Sequence, residues 1–313
     1  MGGYIARRLG STLVVMAIVG AIVFLLVHLA PGSPAAIIAG DNASPAQIDM
    51  ISHQLGLDEP LPVQFGIWAW NILRGNFGTS IFSGAPVMQL VVGRLPATVS
   101  LSLVTIVFAA TIAVTAGVFA AWRAGGVLDR CLMGVAALGF SVPVFVVGYF
   151  LIYLFAITLH WLPVQGYVAL SSGVWPWLSH LVLPALALGL AYLALIARIT
   201  RASMLEVLSE DYIRTARAKG ASSLSQLFHH ALRNAGVPIA TVIGIGIALL
   251  ISGVVLTETV FNIPGIGRLT VDAITNRDYP IIQGVMVIFS GAYVVINLLV
   301  DLSYSLIDPR ISR

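Results

Sequence analysis

The chain has 313 residues, of which 58% are hydrophobic and 9% charged, with a formal net charge of +3 at pH 7. A soluble domain carries roughly a quarter charged residues, so a soluble fold of this size would lack polar surface, and the long apolar blocks call for lipid as their solvent. No basic run with interleaved aromatics is present, which argues against nucleic acid as a partner.

The first apolar block, residues 9–30, follows Arg7 and Arg8. It is longer than the roughly 7–15 residues of a signal-peptide core and long enough to cross ~30 Å of hydrocarbon, so it reads as a retained transmembrane helix. Five more blocks follow at residues 97–122, 131–159, 178–199, 237–260 and 284–307. An open strand cannot span lipid with its backbone unpaired, so all six are helices. The expected fold is an all-α integral membrane protein with six transmembrane helices. It forms a single transmembrane domain over 1–313, with an external cap at 31–96 and core helices at 97–307. With the N-terminus inside, the external segments hold only Arg74, Arg94, Arg268 and Arg277 of the 16 Lys and Arg residues. The remaining twelve lie inside, so both termini face the cytoplasm.

Within the cap, Ser44-Pro45-Ala46-Gln47 is a capping box with proline at the first helical position. Gly56 is placed to stop that helix in a left-handed conformation. Residues 62–73 form a second helix, whose Trp68 and Trp70 suit a membrane interface. Cys131, the only cysteine, reads as a small buried hydrophobe. Pro143 and Pro184 fall within the third and fourth spans and are expected to kink them. Gly236, Gly244, Gly246 and Gly253 permit close helix contacts along the fifth.

The segment 200–235 is too polar to span and too periodic for a loose linker. Gly220 divides it into two helices. The first carries Met204, Leu205, Leu208 and Tyr212 on one face. The second opens with a capping box at Ser223-Leu224-Ser225-Gln226 and carries a stripe of Leu224, Leu227, Phe228, Ala231 and Leu232. Such a pair of amphipathic helices either docks a cytoplasmic partner or lies on the membrane surface.

Catalytic and metal-binding signatures are missing. There is no G-x-x-x-x-G-K-[ST] phosphate loop, no H-E-x-x-H or cysteine pair for zinc, and no G-x-S-x-G elbow. His229 and His230 are adjacent and point to different helix faces. Ser141 and His28 lie in separate spans, an arrangement that apolar helices commonly show. No catalytic, cofactor or metal site is expected. Intramembrane acids are costly and default to functional candidates. Asp301 and Glu258 both lie near span ends. Glu258, between Thr257 and Thr259, is a candidate for the pathway or its gate.

At Asp211-Tyr212-Ile213-Arg214-Thr215-Ala216-Arg217-Ala218-Lys219-Gly220, the sequence resembles the coupling segment of ABC-importer permeases. More narrowly, it resembles the B-type subunit of the dipeptide/oligopeptide/nickel family. Further stretches follow in the family's order. They are Leu55-Gly56-Leu57-Asp58, Gly75-Asn76-Phe77-Gly78-Thr79-Ser80, Arg94-Leu95-Pro96-Ala97-Thr98, His230-Ala231-Leu232-Arg233-Asn234-Ala235, Pro264-Gly265-Ile266-Gly267-Arg268-Leu269, Arg277-Asp278-Tyr279-Pro280 and Asp308-Pro309-Arg310. The general importer pattern of Glu-Ala-Ala, three residues, then Gly is here Arg214-Thr215-Ala216 and then Gly220, without the glutamate.

The resemblance implies a permease subunit of an ATP-driven, binding-protein-dependent importer of di- or oligopeptides or a related solute. Its site would be an ATPase-coupling helix with Tyr212 as anchor, Thr215, and the small residues Ala216, Ala218 and Gly220. Its partners would be a homologous second permease, two ATPase subunits that use ATP and Mg, an external substrate-binding protein, and membrane lipid. The chain itself would bind no cofactor. Two rivals differ in class. An ion-coupled secondary transporter would show echoing halves with broken helices. An intramembrane enzyme would show paired catalytic groups at one depth.

Overall fold

The computed structural model describes residues 2–29, 34–39, 43–54 and 56–307. Among these residues no strand forms, and Thr79 and Pro86 make one isolated antiparallel bridge. The chain divides into two compact units, Met1–Pro96 with Gly265–Val294, and Ala97–Pro264 with Val295–Arg313. Among the described residues, four helical stretches are long and apolar enough to cross a membrane: Thr12–Leu29, Val87–Trp122, Val174–Leu208 and Tyr279–Val300. The bent pair Val127–Gly139 and Val144–Thr158 makes a fifth if taken as one span.

The first unit holds α1 (Gly2–Leu29), α2 (Pro34–Ala39), α3 (Pro45–Gln54), α4 (Leu61–Leu73), α12 (Ile266–Asn276) and the first parts of α5 (Val87–Trp122) and α13 (Tyr279–Ile307). The capping box opening α3 is formed. The Ser44 amide donates to Oε1 of Gln47 at 2.8 Å, and the Gln47 amide returns to the Ser44 hydroxyl at 3.4 Å. Gly56 ends the helix at φ +66°. Helix α1 packs on α4 through aromatic contacts, with the Phe24 ring 5.4 Å from Phe65 and 5.8 Å from Trp68. Trp70 is exposed, with the Arg74 guanidinium 4.6 Å above its ring. A buried cluster of Val87, Val91, Ile266, Leu269, Ile281 and Val285 joins the start of α5 to α12 and α13. Helix α5 begins ten residues before the expected span and runs through Pro96, and α13 begins at Tyr279, with Pro280 in its first turn. A proline there removes only an N–H that would be unpaired anyway.

The second unit is organised around α8 (Val174–Leu208). Its apolar window is 61% buried, against 33% for α5. Leu181, Leu188 and Ile196 of α8 are fully buried with Leu101 of α5 and Leu250 of α11 (Gly236–Val260). Pro184 lies inside α8 without ending it, and the helix continues nine residues past the expected end of its span. The apolar described stretch of α11 is Gly236–Ile247.

The expected third span is broken. Helix α6 (Val127–Ser141) and α7 (Val144–Leu151) meet at 105°, and a π-helical turn, Ile152–Thr158, continues α7. Pro143 has no N–H to give and forces its predecessor out of the helical region. Val142 accordingly sits at φ −94°, ψ 128°. Cys131, expected to be buried, is exposed on α6. The Asp301 side chain lies outside the described side chains.

Candidate functional site

Helix α8 ends at Leu208, and after Ser209 and Glu210 the chain re-enters a short helix, α9 (Asp211–Ala218). Three charges and a threonine decorate this helix. Arg214 pairs with Asp211 at 3.2 Å in full exposure, and the Thr215 hydroxyl donates to the Asp211 carbonyl at 3.0 Å. Exposed pairs of this kind stabilise by only ~0–1 kcal/mol. The position of α9 therefore comes from Ile213, which is 1% exposed.

Gly220 closes α9. Its φ is +84°, and a Cβ placed there would meet nothing within 4 Å. Backbone conformation, not space, demands glycine at this point. The turn is completed by two hydrogen bonds, from Gly220 N–H to the Arg217 carbonyl at 3.0 Å and from Ala221 N–H to the Ala216 carbonyl at 3.1 Å. Gln226, buried beside this turn, donates through Nε2 to the Ala221 carbonyl at 2.8 Å and accepts from Arg217 Nε at 3.3 Å.

The second arm is a π-helical segment, Ser225–Ala231, followed by α10 (Leu232–Asn234). Its cap lies one residue before the expected serine: the Ser225 amide donates to the Ser222 hydroxyl at 3.3 Å. The wider winding, with five-residue hydrogen-bond spacing, also splits the expected stripe. Leu227 and Ala231 are buried, whereas Leu224 and Phe228 are exposed. A second core cluster joins Ile213, Leu227 and Ala231 to Val118 and Ala121 of α5, Met204 of α8, and Ala235 and Ile239 at the start of α11. The hairpin is thus fixed to three long helices. Tyr212, Thr215, Ala218 and Gly220 are exposed, and Ala216 is partly buried.

Glu258 is fully buried near the end of α11, and its Oε1 accepts a 2.6 Å hydrogen bond from the Thr98 hydroxyl of α5. The Glu258 carbonyl also accepts from the Ile263 amide at 2.8 Å, closing the chain over the helix end. A fully buried acid is costly to place, and the Thr98 hydroxyl offsets part of that cost.

The family described as binding-protein-dependent transport system inner membrane component matches residues 113–313, and its N-terminal counterpart matches residues 1–102. The chain belongs to this family. It is 64% identical over 311 residues to the probable peptide ABC transporter permease protein y4tP of Sinorhizobium fredii, covering 99% of each chain. It is 43% identical over 312 residues to the glutathione transport system permease protein GsiC of Shigella flexneri, again covering 99% of each. A solved structure of the MetNI methionine ABC transporter in inward-facing conformations shares the fold, with a TM-score of 0.60 at 17% identity over 71% of this chain and 97% of that one. This protein is accordingly a multi-pass inner-membrane permease of a binding-protein-dependent ABC importer. Membership implies ATPase and substrate-binding partners.

Sequence reasoning about the permease passed over Ile213, Gln226 and the pair Asp129–Arg201. Ile213 is the one large aliphatic residue in the run Asp211–Ala218, a signal that it faces a core. Gln226, the far end of the expected capping box, instead braces the Gly220 turn. Asp129 and Arg201 lie 72 positions apart, and no local pattern links them.

Proposed function

We propose that this permease carries small peptides or related solutes inward through six spanning helices, with α6–α7 and α11 among them. In this reading both termini and the Gly220 hairpin are cytoplasmic and the segment 31–96 is an external cap. The hairpin is the handle gripped by an ATPase subunit. The observation that carries the reading is its two-sided construction. Ile213, Leu227 and Ala231 join the cores of α5, α8 and α11, while Tyr212, Ala218 and Gly220 remain exposed. Small residues permit close approach, and an exposed tyrosine is a good anchor for a groove.

The working assembly pairs this chain with a homologous second permease, two ATPases and an external binding protein, with lipid around the exposed apolar faces. The ATPases use ATP and Mg; this chain binds neither. ATP-driven closure moves the hairpins and shifts the helices between two states of different affinity for solute. In this reading Glu258, held by Thr98, belongs to the pathway or its gate. Peptide and glutathione systems among the relatives support a short-peptide cargo.

The test is Gly220→Trp in the reconstituted complex. It introduces bulk on the exposed turn and strains a φ of +84°. Uptake and binding-protein-stimulated ATP hydrolysis are expected to be lost while membrane insertion is retained. Unchanged uptake and stimulation would overturn the assignment of the hairpin.

A further inference from the structure

Asp129 is a nearly fully buried carboxylate, 4% exposed, in the first turn of α6. Arg201, on α8, meets it with both arms of its guanidinium, Nε to Oδ1 at 2.5 Å and Nη2 to Oδ2 at 2.7 Å. Such a fork-to-fork pair fixes orientation as well as distance. Oδ2 also accepts the Gly125 amide at 2.8 Å, and Arg130 donates to the Gly125 carbonyl at 3.0 Å. The turn between α5 and α6 is therefore held at both polar groups of one residue.

The pair sits at one end of a continuous contact. At the other end, a Cβ on Gly139 of α6 would lie 2.8 Å from Leu190 of α8. Ten residues of α6 and eleven of α8 separate the two points, about 15 and 16.5 Å at 1.5 Å per residue. The helices thus run antiparallel in matched register. One turn beyond Arg201, Met204 enters the core cluster that holds Ile213 and Leu227 of the hairpin. Past Gly139, α6 reaches the break at Pro143, where the chain turns by 105° into α7.

We infer that the Asp129–Arg201 pair is a positioning element of the transport cycle, locking α6 to α8 so that displacement of the hairpin is delivered to the α6–α7 break. Neither residue touches cargo or the ATPase in this scheme; they act through α6. Hydrophobic packing alone would let α6 slide along α8. A bidentate pair with a third hydrogen bond from Gly125 resists sliding because any shift leaves a buried charge unpaired. The inference rests on the hairpin being the ATPase-facing handle.

The experiment compares Asp129→Asn, Arg201→Met and the double variant with the parent complex reconstituted in proteoliposomes, with Gly220→Trp alongside. Solute taken up per ATP hydrolysed is expected to fall about tenfold in each single variant and no further in the double, a coupling effect of the size seen for remote positions. Assembled complex and basal ATP hydrolysis stay near parental levels. Arg201→Lys, which keeps charge but loses the fork, falls between. An unchanged uptake-to-hydrolysis ratio overturns the inference. So does a loss of uptake and hydrolysis together in proportion to lost complex, which marks a purely structural pair. If Gly220→Trp is itself without effect, the handle assignment fails. If it uncouples while the Asp129 and Arg201 variants do not, the lock alone fails.

Discussion

The Ser80 hydroxyl donates a 2.6 Å hydrogen bond to Oδ2 of Asp278, across 198 residues of sequence. Both side chains are buried. The Ile81 amide adds a 3.3 Å bond to Oδ1, and the Asp278 amide is itself held by the Ala273 carbonyl at 2.8 Å. Two short motifs, Gly75 to Ser80 and Arg277 to Pro280, are thereby joined within one unit. A hydrogen bond to a charged partner stabilises by about 1.5–3 kcal/mol. Ser80→Ala is expected to lose that amount locally, with Asp278→Ala at least as damaging. Limited proteolysis across residues 79–86, faster in both variants, is the check.

The two glycines at 117 and 220 are required for opposite reasons, and their alanine variants separate them. At Gly117 a Cβ would lie 2.6 Å from Cβ of Thr200 and 2.8 Å from the Ala197 carbonyl oxygen. Overpacking of this kind costs about 1–3 kcal/mol, so Gly117→Ala is expected to lower the thermal midpoint of the purified permease.

At Gly220 there is room but a positive φ. Forcing an ordinary L-residue there costs roughly 1–2 kcal/mol, while asparagine tolerates the left-handed region better. Uptake is expected to follow the order Gly, Asn, Ala, Val at position 220, with the midpoint for unfolding of the helix core little changed. Equal uptake for Asn and Val would contradict the conformational explanation.

Thr98 and Glu258 should behave asymmetrically. Thr98→Val removes one donor from a buried carboxyl group, whereas Glu258→Gln keeps an oxygen for Thr98 and removes the acid. Losing one partner of a buried polar pair costs more than neutralising it. Thr98→Val is therefore expected to destabilise by about 1–3 kcal/mol. Glu258→Gln is expected to leave the fold intact while reducing uptake. Thermal unfolding and uptake, measured on both variants, separate the two effects.

Much of this architecture is written locally. Ser44 and Gln47 cap α3 as their spacing demands, Gly56 and Gly220 adopt positive φ, and the long apolar blocks become helices. Features set by tertiary contact were not readable in the same way. Helix α8 continues through Thr200 because Thr200, Ser203 and Met204 find buried places against neighbouring helices. The π-winding of Ser225–Ala231 leaves Phe228 exposed, as is Leu224 just before it, although the apolar spacing matches an α-helix. The depth of the break at Pro143 depends on what α6 and α7 pack against, and a proline alone announces only that a kink is permitted. Of the residues proposed for coupling, Tyr212 was legible through a family motif. Its neighbour Ile213 gained its meaning only once the core around it was visible.

That neighbouring pair has an evolutionary corollary. Successive residues on a helix point about 100° apart, so Tyr212 looks outward while Ile213 looks inward. If the hairpin is the proposed handle, docking chemistry and internal leverage fall to different letters of the same turn. On that reading, a lineage could exchange its motor subunit by revising position 212 while leaving the buried position 213 untouched.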